Sequence, residues 1–372
     1  MSNPLVRLGD LGQSPWYDFI TRDLVASGEL SRLIREDGLR GMTSNPTIFE
    51  KAIAGSGDYD DDIRRLAGDG ADAAQVVESL MVDDVRAACD VFRPVYDAHP
   101  NGDGTVSLEV APTLAHDTDA TIAEAERLWA RVDRPNVMIK VPGTRAGLPA
   151  ITRLLADGIN VNVTLLFSVE RYLEVVEAFM AGLEQRVAAG KPIDRLCSVA
   201  SFFVSRVDGQ TDPAIERAGP EAAPLLHRMA IANAIAAYAE FRRILAGDRW
   251  RALAARGAQP QRTLWASTST KDPRLPDTWY VEALVAPDTV NTLPPETFRA
   301  YADHGDPIIR ITRDTEAEAA RMLEQYYALG LPPLAERTAF LEDDGVKKFA
   351  ASWHSLLDTV AAKAGEVGST AP

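Results

Sequence analysis

Asn136-Val-Met-Ile-Lys-Val-Pro-Gly143 reads as a β-strand with a lysine set among Val137, Met138, Ile139 and Val141. Alternate side chains of a strand point to opposite faces, so Val137, Ile139 and Val141 oppose Asn136, Met138 and Lys140. The following apolar run repeats the pattern, with Ile159, Val161, Val163 and Leu165 opposing Asn160, Asn162 and Thr164. The preceding run does the same, Val106, Leu108 and Val110 opposing Thr105, Ser107 and Glu109. Three consecutive strands thus have one β-branched face suited to outer helices. Their other face becomes polar or ionisable toward its C-terminal end.

That arrangement has a chemical meaning. The interior of a parallel barrel is normally filled by bulky apolar side chains, and its active site is built at the strand C-terminal ends. Inward Glu, Lys, Asn and Thr are costly unless they are hydrogen-bonded to one another. Desolvation disfavours an ammonium and leaves a neutral amine that attacks carbonyls. Two plainer readings of Lys140 stay open: a strand-end lysine that snorkels into water, and a structural ion pair with Glu109.

The same alternation of short apolar strands and longer amphipathic helices runs through the chain. Strands centre on Trp16–Phe19, Leu39–Thr43, Thr105–Val110, Val137–Val141, Ile159–Leu165, Leu196–Phe203, Thr263–Ser267 and Ala283–Val285. Helical periodicity falls at Ala71–Tyr96, Ala120–Arg131, Gly147–Ala156, Val169–Ala189, Ala222–Ala246 and Thr315–Leu329. Strands followed by helices, with no Pro/Ser-rich linker, predict an α/β fold: a single (β/α)₈ TIM barrel with additional C-terminal helices. The domain spans 1–372, with about 303–364 as the extra helices and 365–372 as a flexible tail. A doubly wound open sheet is the rival, but it usually carries a glycine-rich phosphate loop. Neither GxGxxG nor GxxxxGK[ST] occurs.

Composition bounds the function. Of 372 residues 46% are hydrophobic and 25% charged, an ordinary globular balance. A formal charge of −15 argues against nucleic-acid binding, which needs clustered cations, but not against a small phosphorylated substrate. Cys89 and Cys197 form no disulfide framework or CxxC motif and read as buried thiols rather than nucleophiles. The five histidines (His99, His116, His227, His304 and His354) show no metal-ligand spacing, so no metal and no cofactor is expected. The N-terminus carries no secretion-signal pattern and no apolar run reaches membrane-span length, which points to the cytoplasm.

The motifs resemble those of the transaldolase family, in the longer branch found in many bacteria. They are Ser14-Pro-Trp-Tyr-Asp-Phe-Ile20, Gly41-Met-Thr-Ser-Asn-Pro-Thr-Ile-Phe49, Val106-Ser-Leu-Glu-Val110, Val137-Met-Ile-Lys-Val-Pro-Gly-Thr144, Ile159-Asn-Val-Asn-Val-Thr-Leu-Leu-Phe-Ser168 and Val199-Ala-Ser-Phe-Phe-Val-Ser-Arg-Val-Asp208. Their order on successive strands is far more specific than any one of them. The resemblance runs from about Gly12 to Thr292 and more loosely beyond.

The resemblance implies transfer of a dihydroxyacetone unit between small phosphorylated sugars through a Schiff base on Lys140, by a monomer or homodimer. It makes Glu109 the acid/base, with Thr164 and Asn162 holding the water through which it works. Asp18 would take the proton from the C4 hydroxyl; without the family match a cap on the following helix is its plainer alternative. Asn45 resembles the residue that hydrogen-bonds the dihydroxyacetone moiety, although Asn-Pro is also an ordinary helix start. Arg206 matches the phosphate arginine, and Ser201 and Phe203 align with pocket residues. Ser267 and Lys271 are candidates for further phosphate contacts; shorter transaldolases have an arginine near there, so a surface role for Lys271 stays open. A fructose 6-phosphate aldolase is the nearest alternative, but such enzymes have glutamine and tyrosine where this chain has Glu109 and Phe203. A non-catalytic scaffold is a different alternative, opposed by so many ionisable groups at strand ends.

Overall fold

The computed structural model describes residues 3–99 and 102–368, the side chains of 366–368 excepted. Eight strands close a parallel barrel in sequential order: β1 (Gln13–Asp18), β2 (Gly41–Thr43), β3 (Thr105–Glu109), β4 (Val137–Pro142), β5 (Val161–Leu166), β6 (Ser198–Phe203), β7 (Arg262–Ala266) and β8 (Thr289–Leu293). The apolar side chains of β3, β4 and β5 are fully buried under the surrounding helices, as their alternation predicts. This is a (β/α)₈ barrel.

Inside the barrel the pattern is polar at both ends and bulky between. At the N-terminal end Arg262 meets Asp103 at 2.8 Å and donates to Ser14 Oγ at 2.8 Å, all three buried. Above them lies Trp16, fully buried, whose register partner is Gly41. A Cβ on Gly41 would stand 2.4 Å from the Trp16 ring, so only glycine leaves room for the indole. The C-terminal end is left to shorter polar and ionisable groups.

The eighth strand is not where the apolar pattern placed it. Ala283 ends the helix Trp279–Ala283, and Leu284 and Val285 form a buried connection, with Leu284 accepting hydrogen bonds from Gln13 and Trp265. The true strand, Thr289-Val-Asn-Thr-Leu293, is disguised by buried polar residues that find partners. Thr289 donates to Ala286 O at 2.6 Å, Asn291 accepts from Thr268 at 2.9 Å, and Thr292 pairs with Thr43 at 2.6 Å.

Two helical expectations also change. Ala222–Ala246 divides into a 3₁₀ turn, Ala223–Leu225, and a helix, Met229–Leu245, around His227 at φ +59°. An unforeseen helix, Ser205–Ala218, follows β6 directly. Beyond the helix Pro295–His304 the extra helices are Arg313–Ala328 and Leu334–Gly368. The latter continues through Gly365, so that part of the expected tail is helical, while 369–372 lie outside the described residues. Among the described residues no helix is long and apolar enough to cross a membrane. Both cysteines are free and buried, and burial pushes both thiols up, which leaves them poor nucleophiles.

Candidate active site

Register brings the strand-borne candidates together. Glu109 on β3 pairs with Lys140 on β4, Lys140 with Asn162 on β5, and Asp18 on β1 with Thr43 on β2. Partners in parallel register share a face, so these side chains project into one mouth. Lys140 is 4% exposed and Glu109 2%, which rules out a snorkelling head group. Lys140 Nζ lies 3.1 Å from Glu109 Oε2 and donates to Ser44 O at 3.2 Å. The contact with Glu109 is close but poorly angled, and neither carboxyl oxygen has a well-directed hydrogen bond. A purely structural buried bridge needs its remaining lone pairs satisfied, and this one lacks that.

Asp18 accepts from Thr43 Oγ1 at 2.6 Å and lines the cavity; the next helix is capped by Thr21, so Asp18 is no helix cap. Burial pushes both carboxyls above their ordinary range. Lys140 opposes this at each, helped at Asp18 by the Thr43 hydrogen bond and Arg206, while at Glu109 the Asp18 charge adds to the rise. Two carboxyls held toward their protonated forms beside an amine are suited to giving and taking protons.

A hydrogen-bonded chain sets the back wall. Asn162 donates to Ser107 Oγ at 2.9 Å and accepts from Ser201 Oγ at 2.7 Å, while Ser44 Oγ donates to Ser107 O at 2.7 Å. Both ends of the Asn162 amide are therefore engaged by protein, and Asn162 stands behind the cavity rather than on its wall. Thr164 does face the cavity, and its buried hydroxyl has no hydrogen-bond partner among the described residues. Asn45 combines both of its readings, because it caps Ile48 N–H at 3.0 Å ahead of Pro46 and also lines the cavity.

The cavity measures about 880 Å³ and is bordered by Asp18, Asn45, Lys140, Thr164, Ser201, Phe203, Arg206, Ser267 and Lys271 among others. Glu109 lies outside that lining and borders a second cavity with Glu124 and Trp353. Arg206, in the first turn of Ser205–Ala218, sets its guanidinium 5.2 Å above the Phe203 ring. Its Nη1 is buried and has no hydrogen-bond partner among the described residues. Burial draws the guanidinium down, against the charges of Asp344 and Asp18. Ser267, at φ +55°, lies 3.0 Å from Ser205 Oγ through its own hydroxyl. Lys271 is exposed at the rim and makes no ion pair among the described residues.

Further residues border the cavity without having been singled out in the sequence. Lys51 comes from the helix Pro46–Ala54, and Phe349 from Leu334–Gly368. Asp208 lies within the quoted Val199–Asp208 motif. It is raised to about 7 by burial and then by the Asp212 charge, against hydrogen bonds from Ala230 N–H at 2.7 Å and Tyr280 Oη at 2.8 Å. His227 borders the cavity with Nδ1 2.7 Å from Asp212.

A buried amine beside two carboxyls held toward their protonated forms, at the C-terminal mouth of a parallel barrel whose cavity Arg206 also lines, is the arrangement of an α/β-barrel enzyme site suited to chemistry on a carbonyl. The family model described as transaldolase/fructose-6-phosphate aldolase matches residues 15–360. A "Transaldolase" of Parafrankia sp. (strain EAN1pec) is 50% identical over 371 residues, covering 99% of this chain and 100% of that one. A "Transaldolase" of Acidothermus cellulolyticus is 52% identical over 362 residues, 97% and 96% of the two chains. "Transaldolase 2" of Nostoc sp. (strain PCC 7120) is 47% identical over 375 residues, 97% of each. The chain belongs to the transaldolase/fructose-6-phosphate aldolase family.

Proposed function

We propose that this enzyme is a transaldolase of the pentose phosphate pathway. It transfers a dihydroxyacetone unit from sedoheptulose 7-phosphate to glyceraldehyde 3-phosphate, giving erythrose 4-phosphate and fructose 6-phosphate. The observation that carries this is the under-satisfied Lys140–Glu109 contact at 3.1 Å beside a cavity shared with Asp18 and Arg206.

The Lys140 amine adds to the donor's C2 carbonyl. Glu109, working through a water held at the Thr164 hydroxyl, protonates the carbinolamine oxygen, which leaves as water. Asp18 removes the proton from the C4 hydroxyl, the C3–C4 bond breaks, and its electron pair passes into the protonated imine. Erythrose 4-phosphate leaves and an enamine remains on Lys140. Its carbon attacks the aldehyde of glyceraldehyde 3-phosphate, whose oxygen regains the proton from Asp18. Hydrolysis of the new imine then releases fructose 6-phosphate.

Asn45 holds the dihydroxyacetone hydroxyls through its amide nitrogen, and Ser201 and Phe203 shape the wall. Asn162 acts by fixing Ser107 and Ser201. Arg206 offers paired donors to the phosphate, with Ser267 and Lys271 supplementing it at the rim. The chain works as one barrel domain, a monomer or homodimer in the cytoplasm.

Borohydride reduction with fructose 6-phosphate, followed by peptide mass spectrometry, tests the reading directly. A dihydroxyacetone-sized adduct on Lys140, absent in Lys140→Ala, is expected. No adduct, or an adduct on Lys51 or Lys271, overturns it. Release of free dihydroxyacetone without acceptor, at the rate of transfer, would assign the chain to the aldolase side of the family instead.

A further inference from the structure

The helix Leu334–Gly368 lies across the barrel mouth, and three of its residues one turn apart mark its path. A Cβ on Gly345 would come 2.9 Å from Leu165 and 3.8 Å from the Phe167 ring, so the glycine lets the helix settle onto the end of β5. One turn on, the Phe349 ring centroid is 5.7 Å from Lys140 Nζ. Another turn on, Trp353 borders the cavity that Glu109 also lines. Residues four apart share a helix face, so this stripe passes over the ends of β5, β4 and β3 in turn. Ser352 accepts from Thr47 at 2.7 Å, Ser355 donates to Glu50 at 2.9 Å, and Lys363 meets Asp60 at 2.7 Å.

We infer that Phe349 is the cover that keeps bulk solvent off the enamine on Lys140, while the single water at Thr164 still serves imine formation and hydrolysis, and so sets the ratio of transfer to release; this rests on the Schiff-base reading above. Once the aldose has left, the enamine has two fates. In transfer its carbon bonds to the acceptor aldehyde. In the competing path that carbon takes a proton from solvent, one water adds to the resulting imine, and breakdown returns the Lys140 amine and free dihydroxyacetone. Both paths end with one water hydrolysing an imine and neither exchanges electrons with a third species, so access of a solvent proton to the enamine carbon decides between them.

Transfer requires the enamine to outlast the exchange of one aldose for another. Thr164 and Ser201 near Lys140 have hydroxyls that can order a water. The Phe349 ring has no hydrogen-bonding group, is only 7% exposed, and presents its surface to the amine. A cation at Lys140, ammonium or protonated imine, is also attracted to that ring.

The test compares the full-length enzyme with Phe349→Ala and Phe349→Leu, using fructose 6-phosphate. Dihydroxyacetone release without acceptor is measured against transfer to erythrose 4-phosphate. Phe349→Ala should raise the release-to-transfer ratio by about tenfold through water admission. Phe349→Leu, which keeps apolar packing with thinner cover, should raise it about twofold to threefold. The borohydride adduct on Lys140 is followed in every variant. If the adduct forms but release and transfer fall together at an unchanged ratio, the inference fails while the Schiff-base reading stands. If the wild-type enzyme forms no adduct, the Schiff-base reading fails first. Should Phe349→Ala not fold, the ratio in Phe349→Leu decides alone.

Discussion

Glu109 and Arg206 are both buried and both incompletely hydrogen-bonded, yet their substitution should affect different kinetic constants. Glu109→Gln keeps the shape and removes a titrating proton, so imine formation should slow by about 10²–10⁴-fold with little change in phosphate binding. Arg206→Ala removes charged hydrogen bonds and should raise KM for phosphorylated donors by about 10–100-fold. Trapping rates and steady-state KM separate the two. A large affinity loss in Glu109→Gln, or an equal loss in Arg206→Ala with a phosphate-free ketose, contradicts these assignments. Asp208 makes a different prediction, about stability. It is raised from 3.8 to about 7, so between those values the folded state binds more protons than the unfolded state. Its stabilising contribution is complete below about 4 and lost as pH rises through 7. Asp208→Asn should flatten the decline in unfolding free energy between pH 4 and 7 by up to one proton, roughly 1.4 kcal/mol per unit. An unchanged slope in urea titrations would place the effect elsewhere.

Strands and helices differ in how openly they declare themselves. β3, β4 and β5 were legible because alternation makes their two faces chemically distinct, and Glu109, Lys140 and Thr164 follow from that alternation. β8 was not, because its buried threonines and asparagine look like loop residues until their partners on neighbouring elements are known. The contributions of Lys51, His227 and Phe349 were equally hidden, for each reaches the cavity through a crossing that periodicity cannot foresee. Asn162 is a different case: its amide is tied to Ser107 and Ser201, a partnership that alternation alone does not reveal. Packing between strands also gives a direct test. Gly41→Ala puts a methyl within 2.4 Å of the Trp16 ring, which is held on all sides. It should destabilise the barrel by about 1–3 kcal/mol in denaturant melts, as overpacked cores do. No loss of stability would mean that the indole has room to yield.

Over the whole molecule, stability and activity make opposite demands at the same spot. An ion pair with both members almost fully buried is expensive to desolvate, and its poor angle recovers little of that energy. Replacing it with a neutral pair, Lys140→Met with Glu109→Gln, should raise the unfolding free energy by about 1–4 kcal/mol while abolishing turnover. Reversible urea unfolding of the double variant checks this, and a loss of stability would mean that the pair helps to hold the barrel closed.

The path of the C-terminal helix has a consequence for the order in which a newly made chain becomes competent. Leu293 closes the ring of strands, but Phe349 emerges from the ribosome well after it. In a nascent polypeptide every stave is therefore synthesised before the Phe349 ring that covers Lys140. If Phe349 is that cover, chains released short of it should trade transfer for release, so the timing of translation bears on selectivity.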